Sequence, residues 1–402
     1  MVTVDGQIDF QQIARGMNVM PKLSIIITNH NYQHFIAQAI DSALAIEWPD
    51  KEIIVVDDGS TDGSRPIIQC YADRVKAIYK NNGGQISAAN VGFSASNGAG
   101  IIFLDADDLL LPTVGHAVAS AFRPGTAKVQ YPLLNISADG TSLGFQMPRF
   151  TARHSPQWAK ETLKRTGFYA APPTSGNAWS RSFLQEVFPL DTRDKPPVGR
   201  PRNGMFDDYL SLLAPYFGDV SSIVEPQGMY RWHGSNKSGI SNKFSLERCV
   251  RWCEDETERV HAAVEILRAR NKIVEGETID FERFLDHMEK RLQFKRFAPR
   301  VYWYGDNLVS LFLKYSRAVA IADMNRARKL AWLTWGTLVA FSSYRISYKI
   351  AVAKAEGRWR EFLPSFLNWY LLSRWSDRTV TPPSARRLVA GHGRGATGLD
   401  PR

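Results

Sequence analysis

The chain has 402 residues, 44% hydrophobic and 22% charged, a globular composition that excludes whole-chain disorder; its 29 glycines and 21 prolines follow no collagen-like period. No segment supplies the ~20 uninterrupted apolar residues of a membrane-spanning helix. The net charge of +10 is unevenly placed: residues 1–120 carry 7 Lys+Arg against 13 Asp+Glu, whereas residues 245–402 carry 28 basic and 18 acidic side chains and seven of the 11 tryptophans. That split argues against a nucleic-acid binder and for an acidic part able to hold a cation, followed by a basic, aromatic part able to face an anionic surface.

In chain order, residues 1–18 read as an N-terminal extension. Asp5, Asp9 and Arg15 stand where a secretory leader needs a basic start and an apolar core. The three cysteines cannot complete a disulfide framework, and Cys249 and Cys253 lack the second ligand pair of a zinc site, so a reducing cytoplasm is expected. Leu23–Thr28 has the β-branched content of a buried strand, and Phe35–Ala45 puts Phe35, Ile36, Ala39, Ile40, Ala43 and Leu44 on one helical face. Glu52–Val56 is the next strand, stopped by a turn-rich cluster from Asp57 to Ser64. Val75–Tyr79 reads as a third strand, Gln85–Ala95 as a helix, and Ile101–Leu104 as a fourth strand running into Asp105-Ala106-Asp107-Asp108. The alternation predicts an α/β fold. In open α/β sheets ligands gather at the carboxyl ends of the strands, here Thr28–Asn31, Asp57–Asp58 and Asp105–Asp108. Acids brought together there suit a hard divalent cation, Mg²⁺ or Mn²⁺, completed by phosphate oxygens. A solvated turn with helix-capping duty is the alternative for the same acids.

The ordered blocks SIIITNHNY, EIIVVDDGSTDGS, NNGGQISAANVGF and IIFLDADDLL resemble the nucleotide-binding half of the family 2 inverting glycosyltransferases, which have the GT-A fold. APPTSGNAWSRSFLQEVFPL, FDDYL and YRWHGSNKSG resemble that family's acceptor half, so the likeness covers roughly Val19 to Asn242. It implies a Rossmann-like nucleotide-binding domain with a mixed sheet over residues 19–244, Thr28, His30 and Asn31 beside a uracil-like base, and Asp58 accepting the base N–H. It further implies Asp105 at the ribose, with Ala106 also in the nucleotide site; the Asn82–Gln85 segment, including Gly84, lets the backbone pass close to a ligand because glycine has no Cβ, a plain turn being the alternative. Asp107 and His233 become metal ligands, and Asp208 the base that deprotonates the acceptor. An Asx-rich turn, a lone surface histidine and a helix N-terminus remain the plain alternatives for Asp57–Asp58, His30 and Asp207–Asp208. Ala89 stands where many relatives have arginine, removing one expected cationic contact to the donor.

The implied activity is metal-dependent transfer of one hexosyl or N-acetylhexosaminyl unit from a nucleotide-sugar, a UDP-sugar by preference, to a hydroxyl of a glycan or lipid-linked saccharide. The setting would be polysaccharide biosynthesis for the cell envelope, in the cytoplasm or at the inner face of the membrane. A sugar nucleotidyltransferase needs a Gly-rich basic loop after the first strand, where this chain has TNHNYQHF; a catalytically silent glycan- or nucleotide-binding scaffold of the same fold is the other alternative. Asp194–Gly204 reads as either a closing loop or a plain surface loop. Residues 245–378 read as a mainly helical domain, with helices over Glu247–Arg270 and Phe281–Phe297. Leu330–Tyr344, uncharged and followed by Arg345 and Lys349, fits either a buried helix or peripheral membrane contact. Residues 379–402 have a disordered composition, and their formal G-x-G-x-x-G at Gly393 leaves no room for the helix that motif must open.

Overall fold

The computed structural model describes residues 22–150, 154–155, 157–190, 206–233, 245–300, 302 and 304–355. The N-terminal extension, the stretch Asp194–Gly204 and residues 379–402 lie outside them.

Strand β1 (Leu23–Asn29) is buried along nearly its whole length, as a central strand between two layers must be. Helix α1 (Ile36–Leu44) buries Ile36, Ala39, Ile40 and Ala43, the i, i+3, i+4, i+7 spacing of one helical face. Then follow β2 (Lys51–Asp58), α2 (Ser64–Gln69), β3 (Lys76–Lys80), α3 (Gly84–Ala95) and β4 (Gly100–Asp105). The predicted strands and helices of this half all appear: β1, β2, α3 and β4 are longer than expected, β3 is shifted by one residue and α1 is shorter at both ends; α2 is additional. Next come β5 (Leu109–Leu110), α4 (Val114–Ala121), β6 (Thr126–Gln130), β7 (Leu133–Ser137), β8 (Ser142–Met147), α5 (Trp158–Thr166), a single 3₁₀ turn Thr174–Gly176, and β9 (Asn177–Ser180). They are followed by α6 (Arg181–Val187), α7 (Phe206–Phe217), β10 (Asp219–Ser222) and β11 (Gly228–Trp232).

Seven strands form a mixed sheet in the order β10-β6-β9-β4-β1-β2-β3, with β9 antiparallel to both neighbours and the remaining pairs parallel. A second sheet, β5-β11-β7-β8, lies beyond β4 in the chain. Alternation along β1 divides its side chains: Ile25 and Ile27 join the core with Ile36 and Ile40 of α1, while Ile26 joins the opposite core with Phe103 and Tyr209.

The helices that follow are α8 (Leu246–Ala269), α9 (Leu285–Phe297), α10 (Leu308–Ile321), α11 (Arg326–Phe341) and α12 (Tyr344–Ala355). The chain divides into two compact units, Met1–Gly239 with Arg251–His287, and Ile240–Val250 with Met288–Arg402. This differs from the single division at 245 suggested by the change in sequence texture. Val260, Val264 and Leu267 of α8 bury in the same core as Tyr209 and Leu213 of α7, so residues 251–287 complete the first unit. Periodicity reveals that α8 has an apolar face but not which core receives it. The uncharged run Leu330–Tyr344 is also divided: α11 begins at Arg326, where Asn325 Oδ1 accepts from Arg328 N–H at 2.9 Å, and ends at Phe341. Trp335 and Val339 of that helix are buried, whereas Leu330 and Phe341 are exposed. Among the described residues no helix is long and apolar enough to cross a membrane.

Candidate active site

Parallel pairing aligns the strand ends: Thr28 lies opposite Val56 on one side and Asp105 on the other, and Asn29 lies opposite Asp57. Asp57 is fully buried and accepts from Asn29 Nδ2 at 3.0 Å, Ser60 N–H at 3.1 Å and Arg65 Nε at 2.7 Å. Burial alone would raise its pKa, but these donors together hold it below the ordinary carboxylate value. Asp57 therefore fixes the turn.

Asp58 performs different work. Its Oδ1 accepts from Gly83 N–H at 3.0 Å and pairs with Lys80, and its Oδ2 accepts from Gly84 N–H at 2.7 Å. The carboxylate thus closes the N-terminus of α3, which has no side-chain cap of its own, and leaves room on Oδ2 for one further donor. Gly84 adopts a φ of +83°, and Gly59 a φ of +76° where a Cβ would lie 2.5 Å from Asn82 N. Both approaches need glycine. His30 Nδ1 lies 2.9 Å from the Asp58 carbonyl oxygen, so the tautomer protonated there donates to it. Asn82 Nδ2 sits 3.1 Å from both ring nitrogens. Asn31, at φ +62°, accepts from Thr61 N–H at 2.7 Å and donates its own N–H to Ser60 Oγ at 3.0 Å, clamping the two loops together.

The acid loop after β4 divides similarly. Asp105 accepts from Gln85 Nε2 at 2.8 Å, and its N–H donates to Ser175 Oγ at 3.1 Å. Asp108 is buried, accepting from Ser175 Oγ at 2.7 Å and from Arg231 N–H at 3.0 Å; burial, then the charges of Asp107 and Asp105, raise its pKa well above the carboxylate range. It ties the loop to β11 and takes no part in an open ligand set. The Arg231 guanidinium, also buried, donates to the Asp107 carbonyl at 2.8 Å, the Ala138 carbonyl at 2.9 Å and Gln38 Oε1 at 2.8 Å, placing a cation behind the acids. Ala106 is buried between Asp105 and Asp107.

Asp107 and His233 meet: His233 Nε2 lies 2.8 Å from Asp107 Oδ2. They come from positions 126 residues apart, and the His233 ring is held by Tyr32 and Phe35, centroids 5.9 and 5.0 Å away. Among the described residues no group of three His, Cys, Asp or Glu side chains is arranged to hold a metal ion. A carboxylate oxygen and an imidazole nitrogen converging from two elements nevertheless suit Mn²⁺ or Mg²⁺ that takes its remaining ligands from a diphosphate. Tyr32 was not marked by the sequence as a site residue; burial, then the charges of Asp107, Asp105 and Asp108, raise its hydroxyl pKa, so it stays a neutral donor beside them.

At the start of α7 the two acids part company. Asp208 is half-exposed and its Oδ2 lies 3.0 Å from Arg259 Nη1, while Arg259 Nη2 pairs with Glu256. These groups line a partly open pocket together with Tyr169, Ser211 and Phe284. Asp207 instead accepts from the Thr174 side chain, next to the Ser175 that holds Asp105 and Asp108. Burial, then the charge of Asp208, pushes Asp207 up to about 6. Beneath them Lys128 is fully buried, donating to Ser211 Oγ at 2.8 Å between the rings of Tyr169 and Trp179; burial pushes its ammonium down to about 7. Arg259, Thr174 and Lys128 carry no local sequence signal and come to the acid pair only through packing.

Residues 24–188 match glycosyl transferase family 2. An uncharacterized glycosyltransferase of Nostoc sp. is 33% identical over 219 residues, 54% of this chain and 66% of that one. The putative glycosyltransferase EpsH of Bacillus subtilis is 26% identical over 220 residues, 54% of this chain and 62% of its own. The chain thus spans just under two thirds of these relatives' length, and 29% of a Rickettsia typhi glycosyltransferase to which it is 44% identical over 92 residues. The crystal structure of S. aureus TarS 1-349 in complex with UDP-GlcNAc aligns at a TM-score of 0.47 and 14% identity over 85% of this chain and 92% of that one, too low to add to the assignment. Residues 24–188, with their parallel strands and the acid loop after β4, thus form a glycosyl transferase family 2 domain.

Proposed function

We propose that the protein transfers one sugar, with inversion, from a nucleotide-sugar of the UDP class to a hydroxyl of a glycan or lipid-linked saccharide. The 2.8 Å approach of Asp107 and His233 at the carboxyl end of the parallel strands carries this reading. Thr28, His30 and Asn31 flank the base, Asp58 Oδ2 accepts its N–H, and Asp105, oriented by Gln85, receives the ribose with Ala106 beneath it. Gly84, at the start of α3, brings the backbone to the donor. Asp107 and His233 would hold the divalent cation, which when bound neutralises the charge that develops on the departing diphosphate. Tyr32 offers a neutral O–H to the same diphosphate.

The acceptor proton goes to the Asp207–Asp208 pair. Family resemblance favours Asp208, but its ion pair with Arg259 favours the other member: Asp207 faces the Thr174–Ser175 turn and stands near the acidity a base needs. Peripheral membrane contact by the C-terminal region would bring a lipid-linked acceptor within reach. A thermal-shift panel of UDP, GDP, CDP and dTDP with and without Mn²⁺ tests the donor class. UDP should raise the midpoint in the presence of Mn²⁺; no response to any nucleotide would remove the transferase reading.

A further inference from the structure

Ten large apolar side chains are exposed among the described residues, and seven of them fall within residues 309–348. On α10, Val309 and Leu313 lie on one stripe with the exposed Arg317; on α11, the exposed Arg326, Leu330 and Phe341 repeat that arrangement at helical spacing. Phe341 packs edge-on against Phe312, centroids 5.0 Å apart, so the two stripes adjoin. On α12, which starts three residues after Phe341, Tyr344 and Tyr348 are partly exposed beside Phe297, and Arg345 and Lys349 are exposed.

The charge of this surface has one sign. Residues 288–355 contain 13 Lys+Arg and three Asp+Glu. Two of the three acids are internally committed: Glu289 to Lys354 at 2.6 Å, and Asp306 to Arg291 and to Lys314 at 2.9 Å. Only Asp323 remains an exposed acid there among the described residues. Aromatic and aliphatic side chains interleaved with exposed cations complement acyl chains below and anionic headgroups above.

We propose that the exposed face of α10, α11 and α12 docks on an anionic lipid bilayer, with Val309, Leu313, Phe341 and Tyr344 entering the interface and Arg317, Arg326, Arg345 and Lys349 meeting the headgroups. This gives named residues and a lipid charge to the membrane contact proposed above. It is tested by binding alone, so its failure leaves the transferase reading intact.

The full chain is sedimented with vesicles of phosphatidylcholine alone or of phosphatidylcholine with phosphatidylglycerol. Binding should require the anionic lipid and fall with added salt. Replacing both Arg345 and Lys349 by Glu should weaken binding roughly tenfold or more, and Leu313→Glu with Phe341→Glu should weaken it comparably. Arg345 and Lys349 are exposed, so the circular-dichroism melt of their variant should match the parent; that variant serves alone if the apolar one, which removes the Phe341–Phe312 contact, fails to fold. Equal binding to both vesicles, or none, overturns the proposal. So does a dimer in light scattering that Leu313→Glu with Phe341→Glu dissociates without changing vesicle binding, because the face would then be a self-association surface.

Discussion

Asp105, Asp107 and Asp108 lie on one short loop, and their partners divide their work. Asp108 is committed to Ser175 and Arg231, whereas the Asp107 carboxylate meets His233. The same division separates Asp207 from Asp208, and it yields a pH dependence. A base must be ionised, so kcat should be retained above about pH 6 and fall as pH drops through the raised pKa of Asp207. Asp207→Asn should lower kcat about 10²–10⁴-fold while leaving UDP affinity unchanged, and Asp208→Asn should keep most of the transfer. The opposite ranking in steady-state kinetics would return the role to Asp208. D-x-D and the paired acids were legible in the sequence as candidates. Their individual roles were not, because identical carboxylates differ only in partners supplied from distant positions, Ser175 for Asp108 and, 126 residues away, His233 for Asp107.

At the scale of elements, the position of α3 sets the geometry around Asp58. Gly92 lets the helix sit on β1: a Cβ there would lie 2.3 Å from Ile26 Cγ2 and 3.4 Å from Val56 Cγ2. Gly92→Ala should cost about 1–3 kcal/mol by overpacking and weaken nucleotide binding by shifting the Gly83 and Gly84 N–H groups. Unchanged denaturant midpoints and UDP affinity would show that the interface yields freely. The strands β1, β2 and β4 were readable because they are β-branched runs ended by acids or turn residues. Strands β5 to β10 were not: they are two to six residues long, and several bury polar side chains, Lys128 and Gln130 in β6 and Asn135 in β7. Polar residues that find partners only in the folded sheet break the alternation on which sequence reading relies. The start of α11 was hidden for a similar reason, since its first turn carries Arg326, Arg328 and Lys329 ahead of the apolar run.

At the scale of the molecule, charge follows the two units. The strand-end crevice concentrates acids backed by one buried arginine, suited to a cation and the phosphates it gathers, while residues 288–355 present a basic, aromatic surface. A metal-bound donor and a membrane-held acceptor would thus be handled by separate parts of one chain. On the proposed function, Asp107 and His233 together hold the cation that binds the donor's diphosphate. Titration calorimetry of UDP into the protein, with and without Mn²⁺, measures this directly. Binding should require Mn²⁺ and be lost in both Asp107→Ala and His233→Ala; Mn²⁺-dependent binding that survives both substitutions would place the cation on other ligands.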